Sequence, residues 1–355
     1  MNENNKIYFW PQAACFYDDA MWFIYGYYGA LCKSNLKTWD TEIIGELPSN
    51  KKMQSDAFTK IIPYKKFLYL IPWWGDDLLI YNIEKEKYTE IRLEQDGKSR
   101  FNNAFLESNE IICLPVAYKS ILRITVQNQE VVEEYDMRAF MRKYSINYFN
   151  CSARIDNGTY AMVSPESDKI FIYDSNTKSM STIETDKQNR YFESVVFLGN
   201  ILFLCSNNAK EIVLFNWDTQ KVEKIWWPEG KERVVLRRLN NYLLIDDCNS
   251  AWVALYDLDL SQICEYDTEV IRLRSIYYYY LVGKNIDGSG FYGYFNNADA
   301  SLLLLENDTL KSVKLEMDND EHMWISDMCE MEMKDKLIAE SELLDLNYYI
   351  KKICE

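Results

Sequence analysis

The sequence predicts an all-β fold built from a repeated four-stranded unit, and three observations support this prediction. A unit of short apolar runs separated by polar segments recurs along most of the 355 residues. The spacing between the runs is nearly constant from one copy to the next. The turns that follow the runs have the composition of tight turns between strands.

The clearest copies share two spacings. An aromatic anchor stands 12 residues after a position in the preceding apolar run, as position 81 does after position 69, and the next run follows 7 residues later. Four copies with anchors at Tyr81, Tyr173, Phe215 and Tyr256 match these spacings to the residue, and a fifth has Ile124 in the anchor's place. The runs lack a 3.6-residue period, so strands are predicted and not helices.

The segments that follow the anchors are rich in Asn, Asp, Ser and Thr, whose side chains hydrogen-bond to nearby backbone and favour turns. They are residues 82–87, 174–178, 216–220 and 257–261. The apolar runs themselves are almost continuous, as in residues 201–205. Strands with both faces buried read in this way, and we therefore expect each sheet to pack between two neighbours.

The copies recur about every 45 residues, which is the length of a four-stranded propeller blade. The sequence thus resembles the β-propeller superfamily, with about seven kelch-like or WD-like blades, although six or eight blades also fit. The resemblance is architectural, because the double glycine of kelch repeats, the Gly-His of WD40 repeats and a complete sialidase Asp-box are all missing. No family's catalytic residues are carried over. The predicted repeats are 14–50, 55–96, 101–136, 148–186, 190–228, 232–267 and 270–316.

We expect residues 1–333 to form a single β-propeller domain. Residues 6–9 are expected to close the ring as an outer strand of the last blade, with residues 323–325 or 330–333 as alternatives for that strand. Ring closure by a strand from the far end of the chain would lock the two ends together and leave only short edges.

Beyond residue 333 the pattern changes. Ser341 is a helix-capping residue, and Leu343, Leu346 and Ile350 share one helical face. We therefore expect residues 334–355 to form a short helical tail packed on the propeller. A partner-binding amphipathic helix is the alternative.

Composition excludes several classes of function. Asp and Glu number 55 against 39 Lys and Arg, a net charge of −16 that opposes binding to nucleic acid. No run of 18 apolar residues predicts a membrane span, and the first residues lack a secretory signal, so a cytoplasmic location is expected. Nine scattered cysteines without a Cys-x-x-Cys pair indicate reduced thiols, most of them in the core.

Cofactor and catalytic motifs are also missing. No glycine-rich phosphate-binding motif occurs, so no nucleotide cofactor is expected. His322 is the one histidine, which argues against imidazole-based triads and zinc sites, and no metal is expected. The sequence therefore favours a non-catalytic protein and leaves the question of an enzyme open.

Candidate binding residues lie in the loops that join second to third strands, which gather on one face of a propeller. Adjacent tryptophans cannot both face one side of a strand, so one indole is expected at the surface, where it can anchor a protein partner or stack on a sugar. Paired carboxylates can bind a cation or act as general acid and base. Packing of both indoles between blades and simple solvation of the carboxylates are the structural alternatives. The candidates are Trp73, Trp74, Asp76, Asp77, Tyr118, Asp246 and Asp247.

These features predict a non-catalytic intracellular scaffold that binds a protein partner through the loop face around the central channel. The negative charge favours a partner with a basic surface. The alternative is a carbohydrate-binding or carbohydrate-active propeller, a glycoside hydrolase or lyase, with loop aromatics stacking on sugar and the Asp pairs doing acid–base work. A purely structural subunit of a larger complex is a third possibility.

Overall fold

The fold was analysed in a computed structural model of the chain. The structure describes residues 6–8, 13–25, 29–48, 58–73, 77–93, 100–185, 190–247, 252–266, 281–282, 293–296, 301–306, 308–314 and 316–318.

The described chain folds into antiparallel four-stranded sheets, each made of four strands that follow one another in sequence. The first part of the chain contains β1 (Lys6–Tyr8), β2 (Ala14–Tyr17), β3 (Ala20–Tyr25), β4 (Ala30–Asn35), β5 (Thr41–Glu46), β6 (Phe58–Tyr64), β7 (Phe67–Pro72), β8 (Asp77–Asn82), β9 (Lys87–Arg92), β10 (Phe101–Glu107), β11 (Glu110–Pro115), β12 (Ser120–Thr125), β13 (Glu130–Asp136) and α1 (Arg138–Tyr144). The second part contains β14 (Cys151–Asp156), β15 (Thr159–Val163), β16 (Lys169–Asp174), β17 (Ser179–Glu184), β18 (Ser194–Leu198), β19 (Ile201–Ser206), β20 (Glu211–Asn216), β21 (Lys221–Trp226), β22 (Val234–Leu239), β23 (Tyr242–Asp247), β24 (Val253–Tyr256), β25 (Gln262–Tyr266), β26 (Leu281–Val282), β27 (Gly293–Asn296), β28 (Ser301–Glu306), β29 (Thr309–Lys314) and β30 (Glu316–Asp318).

The sheets are arranged as a closed ring. The first strand of each sheet contacts the first strand of the next, in the order β2, β6, β10, β14, β18, β22, β26 and back to β2. Between each pair of neighbouring sheets lies a separate hydrophobic cluster. The all-β propeller predicted from the sequence is therefore confirmed.

The number of blades differs slightly from the prediction of about seven. Six blades, β2–β5 through β22–β25, are described in both backbone and side chains. A further sheet, β26–β29, lies between the sixth blade and the first, and side-chain positions there are described only in β28 and β29. The fully described blades thus number one fewer than predicted, and this last sheet accounts for the difference.

The aromatic anchors of the repeat lie in the third strand of each blade. Tyr81 pairs with Leu68, Tyr173 with Tyr160 and Phe215 with Leu202 on the second strand. All six residues of β19 are buried, whereas β21 on the outside of the same blade is mostly exposed. Inner strands that pack on both faces explain the continuous apolar runs of the sequence.

One helix was not predicted. Helix α1 follows β13 and joins the third blade to the fourth, and it buries Phe140 and Met141. Its N-cap is Met137, whose side chain makes no capping hydrogen bond, and its first turn holds no acidic residue. The usual sequence signals for a helix start are therefore missing here.

Ring closure differs from the expectation in one respect. β1 pairs antiparallel with β30, which follows the last sheet, so the strand from residues 6–8 forms a separate two-stranded sheet and not an outer strand of the last blade. The pairing still joins the two ends of the described chain. The alternative closing strands at 323–325 and 330–333, and the helical tail predicted at 334–355, lie outside the described residues.

The described cysteines are free thiols, and four of the six are buried. Burial raises the pKa of the Cys15 and Cys113 thiols. In the part of the chain that the structure describes, no helix is long and apolar enough to cross a membrane.

Tyr69 links two blades, and ionisation of its hydroxyl makes the stability of the fold depend on pH in the alkaline range. It is fully buried, and its hydroxyl donates a hydrogen bond of 2.9 Å to the carbonyl of Val126. Burial raises the pKa of Tyr69 to about 12. Because the folded pKa lies above the unfolded value of about 10, the contribution of Tyr69 is complete below pH 10 and is lost as the pH rises toward 12. The unfolding free energy of the wild type should therefore fall as the pH rises from about 10 to about 12. We expect Tyr69→Phe to reduce the slope of this fall by up to ~1.4 kcal/mol per pH unit.

Urea unfolding between pH 8 and 12 measures this slope. Tyr191→Phe, at an exposed tyrosine, is the matched control and should leave the slope unchanged. Equal slopes for the wild type and Tyr69→Phe would contradict the prediction.

Candidate functional site

The predicted loop residues of blades 2 and 3 meet around Arg100. The carbonyl of Trp73 accepts a hydrogen bond of 2.7 Å from the Arg100 amide, and the Arg100 guanidinium lies 5.1 Å from the centre of the Tyr118 ring. Tyr118 also packs edge-on against Phe101 and is only 1% exposed, so its ring faces protein and not solvent. Asp77 is buried at the start of β8.

Of the remaining candidates in this loop, Trp74 and Asp76 lie outside the described residues. Trp73 is half-buried. Arg100 thus contacts both Trp73 and Tyr118. The Tyr118 side chain is buried and Trp73 is half-buried, so neither presents a fully exposed ring to a partner.

Asp246 and Asp247 lie at the end of β23 in blade 6, and both are buried. Blade 6 is not adjacent to blade 2 in the ring, so these carboxylates and Asp77 do not lie at one interface between neighbouring blades. Asp247 Oδ2 lies 3.6 Å from Lys231 Nζ, and its amide donates to the carbonyl of Trp252. Asp247 is therefore connected to the loop between blades 5 and 6 and to the residue before β24.

Those residues line a cleft of about 660 Å³ between blades 5 and 6, which we call the aromatic cleft. Its walls come from the end of β21, from β24 and β25, and from the loop that leads from β21 into β22. The lining residues are Trp226, Trp227, Pro228, Glu229, Lys231, Trp252, Tyr256, Leu260, Gln262 and Glu265. The cleft begins at the loop face and extends along the outer strands.

One wall of the cleft is held by a chain of hydrogen bonds. Tyr256 donates its hydroxyl proton to Gln262 Oε1 at 3.1 Å, and Gln262 Nε2 donates to Glu265 Oε2 at 3.3 Å. Trp252 Nε1 donates to the same Glu265 oxygen at 3.0 Å. Burial first, and then the Glu265 charge, raises the pKa of Tyr256. These hydrogen bonds hold the Glu265 carboxylate in place at the rim of the cleft. Glu265 is an exposed residue.

The opposite wall is formed by two half-buried tryptophans. Trp226 packs edge-on against Tyr256, with ring centres 5.1 Å apart. Trp227 Nε1 donates a hydrogen bond of 2.8 Å to the carbonyl of Lys231. The ring contact holds Trp226 and the hydrogen bond holds Trp227, so both rings are oriented before a ligand binds.

Lys231 carries a positive charge into the cleft. Its Nζ lies 4.0 Å from the centre of the Trp252 ring, within the range of a cation–π interaction. The same nitrogen is 3.6 Å from Asp247 Oδ2. One indole face and one carboxylate therefore already surround a cation that belongs to the chain itself.

Exposed apolar side chains occur on both blades that form the cleft, but not all of them face it. Five large hydrophobic residues are exposed in the described part of the chain, and three of them belong to blades 5 and 6: Ile225, Leu258 and Ile263. Ile263 follows Gln262 on β25, beside the cleft. Ile225 pairs with Val213 of the cluster between blades 4 and 5, so its side chain lies on the face of β21 opposite to Trp226 and the cleft.

Lys60, on the inner strand β6, is an amine with a lowered pKa. Burial first, and then the Arg154 charge, lowers the pKa of Lys60 to about 8. Its Nζ donates to Asn103 Oδ1 at 2.9 Å and to the carbonyl of Ala104 at 2.7 Å. Both acceptors lie on β10, so Lys60 ties blade 2 to blade 3. Across the described residues, no group of His, Cys, Asp and Glu is arranged to hold a metal ion.

Only part of this site could be predicted from the sequence. Adjacent tryptophans at 226 and 227 are visible as a motif, and Asp247 was a candidate. Trp252, Gln262 and Glu265 form no recognisable motif, since Trp252 precedes β24 while Gln262 and Glu265 lie on β25. They meet only because blades 5 and 6 pack side by side.

A closed ring of four-stranded sheets with a cleft at its loop face is the architecture of a β-propeller. Among solved structures, the chain is similar to a streptogramin B lyase, with 13% identity over 83% of this chain and 89% of that chain and a TM-score of 0.59. It is also similar to selenomethionine-substituted virginiamycin B lyase from Staphylococcus aureus, with 10% identity over 83% and 96% of the two chains and a TM-score of 0.62. A chain of a mitotic checkpoint complex shows 12% identity over 87% and 90% and a TM-score of 0.56.

These identities are low, so the similarity establishes the fold alone. No protein-family model matches the chain. Comparison with curated proteins finds no match either.

Proposed function

We propose that this protein is a non-catalytic intracellular β-propeller that acts as a scaffold, and that a protein partner binds at the aromatic cleft between blades 5 and 6. The observation that carries the proposal is the convergence of Trp226, Trp227, Trp252 and Tyr256 on one open cleft. The sequence pointed to the loop face around the channel, and the cleft lies at the outer end of that face.

Three properties support a protein partner. Tryptophan and tyrosine are the residues most enriched at the energetic centres of protein interfaces. The exposed side chain of Ile263, next to Gln262 on β25, extends the apolar surface beside the cleft. The rings are held by hydrogen bonds and ring contacts, which lowers the entropy lost on binding.

A sugar is the second candidate ligand, because indole faces beside Gln262 and Glu265 also suit a carbohydrate. One structural neighbour is described as a catalytically inactive virginiamycin B lyase in which a histidine is replaced by alanine, with quinupristin bound. The one histidine of the present chain, His322, lies outside the described residues. The cleft therefore supports binding, and we propose no catalytic step for it.

Site-specific photo-crosslinking in the native host tests the proposal. A photoreactive benzoylphenylalanine is placed at Glu229, which lines the cleft on the blade 5 side, or at Ile263 on the blade 6 side. The matched control places it at Val132, an exposed apolar residue on the outer strand of blade 3. We expect the same discrete protein adduct from both cleft positions and none from Val132, and we expect Trp227→Ala to abolish the adduct.

The melting temperature of Trp227→Ala must first be shown to match that of the wild type. The adduct is then identified, and the purified partner is titrated against the wild type and the variant. Removal of an interface tryptophan typically costs ~2 kcal/mol or more of binding free energy, so a loss of roughly thirtyfold in affinity is expected. Adducts that form equally from Val132, or that persist in Trp227→Ala, would refute binding at the cleft.

A further inference from the structure

The cleft contains an internal example of the group that it suits. Lys231 Nζ lies over the face of Trp252 and beside Asp247. Indole faces attract cations through the ring quadrupole, and a nearby carboxylate adds charge attraction. The remaining part of the cleft offers the same pair of groups, with Trp226 and Trp227 as the indoles and Glu229 and Glu265 as the carboxylates.

The charged groups of the cleft favour a cation over a neutral ligand. The Gln262 amide, which a sugar would use, already accepts from Tyr256 and donates to Glu265. A cation needs only negative charge and π faces, and both are present. Neighbouring cations are engaged elsewhere: Lys210 pairs with Glu232 and Arg233 with Glu193.

The charge of the whole chain acts in the same direction. With a net charge of −16, the protein attracts cationic ligands over long distances and repels anionic ones. The exposed side chain of Ile263 and the lining residues Pro228 and Leu260 offer apolar contacts beside the charged position. Together these features describe a basic side chain with apolar neighbours.

Building on the proposed protein-binding function, we infer that the partner presents a short segment in which an arginine or lysine, flanked by apolar residues, enters the aromatic cleft. Its cationic group lies against Trp226 and Trp227 and meets the carboxylates of Glu265 and Glu229. Its apolar neighbours contact Leu260 and Ile263.

Peptide titration by calorimetry tests this inference directly. The probe is acetyl-Leu-Arg-Leu-amide, and the control is acetyl-Leu-citrulline-Leu-amide, which has nearly the same shape without the charge. We expect the arginine peptide to bind roughly tenfold more tightly than the citrulline peptide, as a cation–π contact and an exposed ion pair together allow. Added salt should weaken the arginine peptide selectively.

A pair of charge-matched variants locates the effect. Glu265→Gln keeps the shape and the acceptor oxygen but removes the charge, and it should abolish the preference for arginine. Glu90→Gln makes the same change at an exposed position on the outer strand of blade 2 and should preserve the preference.

Three results would overturn the inference: equal affinity for both peptides, no binding of the arginine peptide up to about 10 mM, or a preference that survives Glu265→Gln. A Trp227-dependent interaction with a neutral sugar, titrated as methyl glucoside, would also overturn it. In each case the photo-crosslinking result still decides the proposed function, because a Trp227-dependent protein adduct does not require a basic residue at the cleft.

Discussion

Phe171→Ala is expected to lower the free energy of unfolding by about 3–5 kcal/mol, the range for removing a fully buried phenylalanine. Phe171 lies on β16, is 0% exposed and belongs to the cluster between blades 3 and 4. Its ring makes edge contacts with Phe140, Tyr144 and Phe149, at centre distances of 5.7, 5.5 and 5.3 Å. Truncation therefore leaves a cavity and removes three aromatic contacts together.

The substitution should also release helix α1. Two of the three rings that contact Phe171 belong to this helix, which is seven residues long and too short to persist without tertiary contacts. Guanidinium unfolding measures the loss of stability. Hydrogen exchange at the amides of Met141 and Ser145, which donate to the carbonyls of Met137 and Arg142, measures the opening of the helix. Tyr191→Ala, at a 40% exposed ring, is the control and should change stability by no more than ~0.5 kcal/mol. A loss below ~1 kcal/mol for Phe171→Ala would contradict the packing argument.

Helix α1 also shows where sequence reasoning stops. The strands could be predicted because their signal repeats: five blades share the same spacing, and in four of them the anchor is a buried aromatic residue such as Tyr81 or Phe215. The helix occurs once, buries only Phe140 and Met141, and begins without a capping side chain. A single short element of this kind has too few apolar positions to establish a period.

The same limit applies to the candidate site. A pair such as Trp226 and Trp227 is visible in the sequence, but its surroundings depend on how two blades pack. Trp252 and Glu265 come from the next blade, and nothing in their local sequence indicates that they face these tryptophans. Conversely, Tyr118 is predicted at the loop face but lies beneath Arg100, because a position in a loop does not determine which way the side chain turns.

The repeat that reveals the fold also hides the variation between blades. An anchor at the same register serves five blades, so its presence says nothing about a site. The differences lie at the interfaces, where buried charges are added to the hydrophobic cluster of some blade pairs. The contact between blades 3 and 4 is an example, since it holds a buried carboxylate as well as the cluster around Phe171.

Glu134 on β13 provides that charge. Its side chain is 0% exposed and forms ion pairs with Arg123 Nη2 at 2.5 Å and with Lys178 Nζ at 3.5 Å. Arg123 also reaches Glu110 Oε1 at 3.3 Å. The Glu134 charge opposes ionisation of the neighbouring Tyr173, whose pKa is raised mainly by burial. A carboxylate buried in this way depends on its cations.

Arg123→Met is expected to lower the free energy of unfolding by roughly 3 kcal/mol at neutral pH, because it leaves the Glu134 charge buried with only the more exposed Lys178 nearby. The double variant Arg123→Met/Glu134→Leu removes both charges and should regain most of the loss. Urea unfolding of the three proteins at neutral pH provides the measurement. A double variant no more stable than Arg123→Met would show that Arg123 contributes through packing of its side chain and not through its charge.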